Sequence, residues 1–208
     1  MEINQKVVIV DYGMGNLRSV QKAIKRVGLD SEISPNLDVI KQADKLILPG
    51  VGHFANGVKK LKESGIWEAL NKKVIHEKTP VLGICLGMQL MAKGSEEGNE
   101  TGFGWFDAEV VKFKVSDTLK YKVPHMGWNQ LIKKKKSGLL SNIAPEANFY
   151  FVHSFHVLCN DAKDELASTI YEYEFASAIQ KENIYGVQFH PEKSHDAGEK
   201  MLLNFLSL

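Results

Sequence analysis

Residues 79–91, TPVLGICLGMQLM, constrain this chain more than any other stretch. Positions 81–84 form a short apolar run opened by Pro80, the pattern of a buried strand, and positions 86–91 change to helix formers. Cys85 stands at the changeover, with Gly83 and Gly87 two residues to either side. That is the G-x-nucleophile-x-G spacing of a nucleophile elbow, a sharp strand-to-helix turn that lifts one side chain above a sheet. Glycine is needed there because backbone crowds the turn, and a Cβ would meet a neighbouring element. A helix starting at Leu86 would aim its free N–H groups and positive dipole end at the sulfur, favouring thiolate over thiol. The competing reading of Cys85 is a small buried hydrophobe, because free cysteine is among the most buried of residue types.

A second stretch weighs on that choice. In Tyr185-Gly186-Val187-Gln188-Phe189-His190-Pro191-Glu192-Lys193-Ser194 a strand-like run delivers His190, and Glu192 follows two positions later across a proline. A base followed at once by a carboxylate able to orient it is what a cysteine nucleophile requires. Alone, His190 reads as a core or surface histidine and Glu192 as a solvated charge. With the elbow they read as a catalytic set.

Composition excludes several alternatives. A length of 208 residues suits one domain, 1–208, with a sizeable core. A formal net charge of +1 gives no reason to expect nucleic acid or an anionic membrane as partner. Cys85 and Cys159 are the only cysteines, so a reducing compartment is expected rather than a disulfide framework. No charged-then-apolar leader precedes the first strand, and the apolar stretches are too short to span a bilayer. A cytoplasmic protein is expected.

In chain order, 7–10 reads as a buried strand running into Asp11-Tyr12-Gly13-Met14-Gly15-Asn16 and a helix over 17–27. Gly13-x-Gly15 is no dinucleotide fingerprint, since Arg18 stands where the third glycine belongs. A short strand at 32–34 and a brief helix ending near 42 follow, then a buried strand over 45–48. It ends at Pro49-Gly50-Val51-Gly52, where two glycines flanking a valine let backbone N–H groups turn toward a ligand. An oxyanion hole needs such donors, and strand ends of an open parallel sheet share one crevice, although a plain tight turn fits too. Segments 54–63 and 66–77 carry apolar residues at helical spacing and read as sheet-covering helices. Residues 94–104 read as a loop, and 108–115, 121–123 and 131–133 as strands.

Four lysines, 133–136, fit a solvated hairpin end better than a nucleic-acid patch. Residues 148–156 read as one strand whose end carries His153, Ser154, Phe155 and His156. These histidines and His190 lack convincing ligand spacing, so neither metal nor cofactor is expected. Strands at 165–170, 177–180 and 184–189 and a closing amphipathic helix over 197–206 complete an α/β three-layer fold with a mixed, mainly parallel sheet.

Six stretches together carry a resemblance: DYGMGNL at 11–17, LPGVG at 48–52, GICLGMQ at 83–89, PHMGWN at 124–129, YFVHS at 150–154 and QFHPEKS at 188–194. In these the chain resembles the class I, triad-type glutamine amidotransferases, and within them the glutaminase subunits of imidazole glycerol phosphate synthases, over essentially its whole length. The resemblance implies a flavodoxin-like fold and hydrolysis of glutamine, with ammonia passed to a (β/α)8-barrel cyclase in a heterodimer serving histidine biosynthesis. It implies Cys85, His190 and Glu192 as triad, and Val51, Gly52 and the Leu86 N–H as oxyanion hole. Gly52, Gln89, His153, Ser154 and Phe155 would bind glutamine. Asn16, Arg18, Met126, Trp128, Tyr150 and Lys193 would face the partner, Tyr150 lining the ammonia exit. His53 and His195 stand where an alanine and a serine are expected, and an aromatic pair is more usual after Ser154. A paralogue feeding a surface-sugar amidotransferase through a similar barrel stays open beside the histidine-pathway form. A stand-alone hydrolase would leave Met126, Trp128 and Lys193 without a partner, and a non-enzymatic binding module would leave the triad unused.

Overall fold

The computed structural model describes residues 5–208. Residues 1–4, on which the expectation of a leaderless start partly rests, lie outside it. The first part alternates strand and helix: Val7–Val10 (β1), Leu17–Arg26 (α1), Glu32–Ser34 (β2), Leu37–Lys41 (α2), Lys45–Gly50 (β3), Phe54–Glu63 (α3), Ile66–Asn71 (α4), Val81–Cys85 (β4) and Leu86–Gln89 (α5). The remainder is rich in strand: Gly94–Ser95 (β5), Glu100–Thr101 (β6), Ala108–Lys112 (β7), His125–Gln130 (β8), Ile132–Lys133 (β9), Asn148–His153 (β10), Phe155–Cys159 (β11), Glu165–Tyr171 (β12), Tyr173–Lys181 (β13) and Ile184–Val187 (β14). His195–Leu206 (α6) closes the chain.

The main sheet runs β2-β1-β3-β4-β14-β13-β11-β7-β5-β6, and its first five strands are parallel. From β14 the pairing turns antiparallel through β13, β11 and β7, β5 then runs parallel to β7 and β6 antiparallel to β5, while β12 hangs on β13 and β9 on β12. β8 and β10 stand apart as a two-stranded antiparallel ribbon. Alternation along β1 and β3 divides the core in two. Val8, Val10, Leu46 and Leu48 pack with Phe54, Leu61, Leu70 and Met88 beneath α3–α5. Val7, Ile9 and Ile47 pack with Ile24, Phe149, Phe151, Leu202 and Phe205 beneath α1, α6 and the ribbon. The three layers anticipated from the alternation are present.

Lys45 opens β3 but is buried, and its Nζ donates to the carbonyls of Phe205, Leu206 and Leu208 at 3.0, 2.7 and 2.8 Å. It thereby satisfies orphan carbonyls at the C-terminal end of α6.

Several segments depart from the sequence reading. The helix expected through 77 passes into a π-helical turn over Lys72–His76. Residues 121–123 form no strand, and Tyr121 instead sets its ring edge-on against Tyr171. The strand expected over 148–156 breaks at Ser154, β10 leaving for the ribbon and β11 joining the main sheet. The lysine run is more engaged than a solvated tip. Lys133 Nζ donates to the carbonyls of Leu140 and Ile143, Lys134 pairs with Glu174, and Lys135 reaches the carbonyls of Lys163 and Gln180.

Candidate active site

Parallel pairing sets Gly50 of β3 beside Cys85 of β4, and Val187 of β14 beside Ile84. The chain segments that leave these strand ends therefore enter one crevice. Cys85 has φ 55° and ψ −111°, a conformation that costs a non-glycine residue roughly 1–3 kcal/mol and is retained only where its surroundings dictate it. Those surroundings are backbone. A Cβ on Gly83 would lie 2.7 Å from the Gly87 carbonyl, and one on Gly87 would overlap the Leu48 carbonyl oxygen. The glycine bracket is thus a steric necessity of the elbow. The dipole part of the sequence argument shrinks, because α5 is a single turn ending at Gln89.

His190 follows β14 and is pinned by the ribbon. Its N–H donates to the Tyr150 carbonyl at 2.9 Å, and Ser194 Oγ donates to its carbonyl at 2.6 Å while accepting from the Tyr150 N–H at 3.0 Å. Its Nδ1 donates to Glu192 Oε1 at 2.8 Å, with both side chains buried. That bond leaves Nε2 for the substrate side, where it is buried without a hydrogen-bond partner of ordinary geometry. Burial alone would push the imidazole toward its neutral form. The Cys85 sulfur and the Glu192 carboxylate outweigh it and hold His190 up at about 9, so the imidazolium predominates at neutral pH.

Cys85 and His190 line a cavity of about 390 Å³. Val51, Gly52, Leu86, Gln89, His153, Ser154 and Phe155, all anticipated for oxyanion or substrate roles, line it too. Gly52 has φ +107°, a value that favours glycine, and Val51 beside it is exposed. Glu192 sits behind His190 rather than on the wall. Glu97, Pro124, Val152 and Lys193 complete the lining, and Glu97 is its only carboxylate. Sequence reasoning left Glu97 inside a featureless loop, and only its place on the fold reveals it.

The neighbouring histidines are neutral. His153 Nδ1 donates to the Phe155 carbonyl at 2.7 Å, so its Nε2 accepts from His125 Nδ1 at 3.1 Å. Desolvation holds His125 down at about 4 and His153 well below the usual range. His156 bonds the Val157 carbonyl and Tyr173 Oη, and burial lowers it as well.

Of the residues anticipated on the partner face, four gather. Met126 and Trp128 are exposed on β8, Tyr150 meets Trp128 edge-on at 5.7 Å, and Lys193 Nζ lies 5.6 Å from the Tyr150 ring centre. Asn16 is exposed at the start of α1. Arg18 lines a separate cleft with Asp11, Gln21 and Glu32. Of the two unexpected histidines, His53 accepts from the Ala55 N–H and caps α3, while His195 lies flat on Trp128 with ring centres 5.0 Å apart.

The chain is similar to known proteins over nearly its whole length. The family model of class-I glutamine amidotransferases matches residues 8–207. The imidazole glycerol phosphate synthase subunit HisH 2 of Methanococcus maripaludis is 52% identical over 200 residues, spanning 96% of this chain and 98% of that protein. The subunit of the same name from Pseudomonas aeruginosa is 44% identical over 202 residues, spanning 97% and 99%. A crystal structure of a glutamine amidotransferase superposes with a TM-score of 0.72 over 96% of this chain and 97% of that one, at 20% identity, a likeness of fold alone.

Proposed function

This chain belongs to the class-I glutamine amidotransferases, and we propose on that footing that it is the glutaminase subunit of an imidazole glycerol phosphate synthase. Acting as a single domain, it hydrolyses glutamine to glutamate and ammonia. The ammonia passes to a (β/α)8-barrel cyclase, which forms imidazole glycerol phosphate and the carboxamide ribotide for histidine biosynthesis. No helix among the described residues is long and apolar enough to cross a membrane, and the proposed site of action is the cytoplasm.

The observation that carries the reading is the buried His190–Glu192 pair set beside a cysteine on a strained elbow, with one cavity joining Cys85 to His190. The Cys85 thiolate attacks the carboxamide carbon of glutamine, and the carbonyl electrons move to oxygen. The N–H groups of Val51, Gly52 and Leu86 receive that oxyanion. The His190 imidazolium gives its proton to the departing nitrogen, ammonia leaves, and a thioester remains. His190, now neutral, takes a proton from water as the water attacks the thioester. The C–S bond breaks, its electron pair returns to sulfur, and glutamate departs. Gln89, His153, Ser154 and Phe155 bound the substrate, and Glu97 suits its α-ammonium group.

Ammonia released into water would be protonated, so the product requires a covered route. Met126, Trp128, Tyr150 and Lys193 offer the surface for a cyclase, since exposed Trp and Met anchor interfaces. The stacking of His195 on Trp128 favours a second reading, in which a differently shaped barrel serves a sugar amidotransferase. A γ-chloroketone analogue of glutamine tests the chemistry. It is expected to alkylate the Cys85 peptide alone and abolish glutamate release, whereas labelling elsewhere with activity retained overturns the assignment. Copurification with the cyclase encoded among histidine genes, rather than with a barrel beside sugar-modifying genes, decides the pathway.

A further inference from the structure

Gln188 has no part in the steps above, yet it is completely buried and its side chain touches the nucleophile. Its Nε2 donates toward Cys85 Sγ at 3.6 Å, and its Oε1 accepts from Gln89 Nε2 at 3.0 Å. The direction of this chain is fixed by its far end. Gln89 Nε2 also donates to the Phe155 carbonyl at 3.0 Å, and a carbonyl can only accept. Gln89 thus spends both amide protons on protein. Gln188 must answer it with oxygen, which leaves the Gln188 NH2 group turned to the sulfur. Reversing the Gln89 amide would set its oxygen against the Phe155 carbonyl, and reversing Gln188 would set two donors face to face. The Gln188 backbone is held as well, its N–H donating to the Ser177 carbonyl of β13 at 2.9 Å.

We propose that Gln188 is a two-ended positioning residue of the glutaminase centre. Its NH2 group holds the Cys85 thiolate, and its oxygen locks Gln89 so that only the Gln89 carbonyl oxygen is left to meet glutamine. A buried N–H facing a thiolate is charge-assisted, while the same N–H facing a thioester sulfur is not. The contact therefore strengthens when the C–S bond breaks and sulfur regains its electron pair, as it must when glutamate leaves. At the other end, an acceptor oxygen on Gln89 suits the N–H donors of glutamine. This inference rests on the glutaminase reading, but its first test does not need glutamine.

The test is alkylation of the full chain by iodoacetamide across pH, with Cys85 and Cys159 peptides quantified separately by mass spectrometry. Replacing Gln188 by Met removes both ends of the amide without adding charge. Q188M is expected to move the Cys85 profile toward alkaline pH and slow its alkylation at neutral pH by about tenfold or more, the usual weight of a hydrogen bond to a charged group. The Cys159 profile, from β11, is expected to stay put as an internal reference. Q188E keeps an acceptor for Gln89 but sets a carboxylate against the sulfur. It is expected to shift the Cys85 profile at least as far while sparing the KM for glutamine, which Q188M raises. Q188E also carries the test where Q188M fails to fold. An unmoved Cys85 profile in a folded Q188E overturns the proposal and reduces Gln188 to packing. If the profile moves while the wild-type chain fails to hydrolyse glutamine even with its cyclase present, the glutaminase reading falls and the Gln188 contact stands.

Discussion

The parallel strands and the β8/β10 ribbon meet opposite demands. Along β1, β3, β4 and β14 every residue is buried, because layers cover both faces of a parallel sheet. Such strands have nothing to offer along their length and offer only what stands at or just past their C-terminal ends: Cys85, the 49–52 loop, and the segment carrying Gln188 and His190. The ribbon alternates instead. His125, Phe149, Phe151 and His153 turn inward, while Met126, Trp128 and Tyr150 turn out. Strands buried on both faces hold atoms in place for bond-making, and a half-buried antiparallel pair presents apolar surface to another molecule. The function proposed above divides between the two regions in the same way.

Mutations can break that division. The largest effect is expected for C85A, which should lower glutamine hydrolysis by about four orders of magnitude or more, as loss of a covalent nucleophile does. Circular dichroism and affinity for the cyclase should be unchanged, and synthesis from added ammonium should persist. Loss of cyclase affinity in C85A would show that the elbow also shapes the partner surface.

Next comes E192Q, expected to reduce kcat/KM roughly a hundredfold or more by releasing the base from its orienting carboxylate. Its pH profile sharpens the point. His190 holds its acid form up to about 9, so acylation should fail above that pH in the native chain. Glu192 is one of the groups that raise His190, so E192Q should move the alkaline limb to lower pH. An unmoved limb would assign it to another group.

A smaller effect and the reverse pattern are expected for W128A. Removing an exposed aromatic anchor should weaken cyclase binding by about 2 kcal/mol, read by titration calorimetry. Alkylation of Cys85 should continue as before.

The smallest change expected is for K45M, far from both regions. Leaving the carbonyls at the end of α6 without their donor should cost about 1–2 kcal/mol in chemical denaturation, with kcat little altered.

What the sequence disclosed follows the same division. Runs such as VVIV and VLGIC are apolar throughout, and the glycines at 83 and 87 leave one conformation for Cys85, so β1, β4 and the elbow could be read directly. His190 and Glu192 are two residues apart, and their contact is local. Harder were contacts made by distant segments. The ribbon is harder to see, because Met126 and Trp128 read as surface contacts and the buried and exposed positions that alternate over 125–130 include no apolar run to mark a strand. Nothing local marks Ser154 as the place where one extended segment changes sheets. Lys45 looks like any charge at a strand start, and its partners lie beyond residue 200. Gln188 stood inside a recognised stretch without a role, because its meaning lies in Cys85 and Gln89, both about a hundred positions away.

Ser154 alone separates β10 from β11. On one side, Tyr150 of β10 borders the exposed Trp128; on the other, the Phe155 carbonyl at the start of β11 accepts from both Gln89 and His153. One residue therefore joins the ribbon to the groups that fix the wall of the cavity. Any free energy that couples occupancy of the outer face to occupancy of the cavity is symmetric by thermodynamic necessity. Whatever factor a bound cyclase adds to the affinity for glutamine, bound glutamine returns to the affinity for the cyclase. Measuring either heterotropic effect fixes the other.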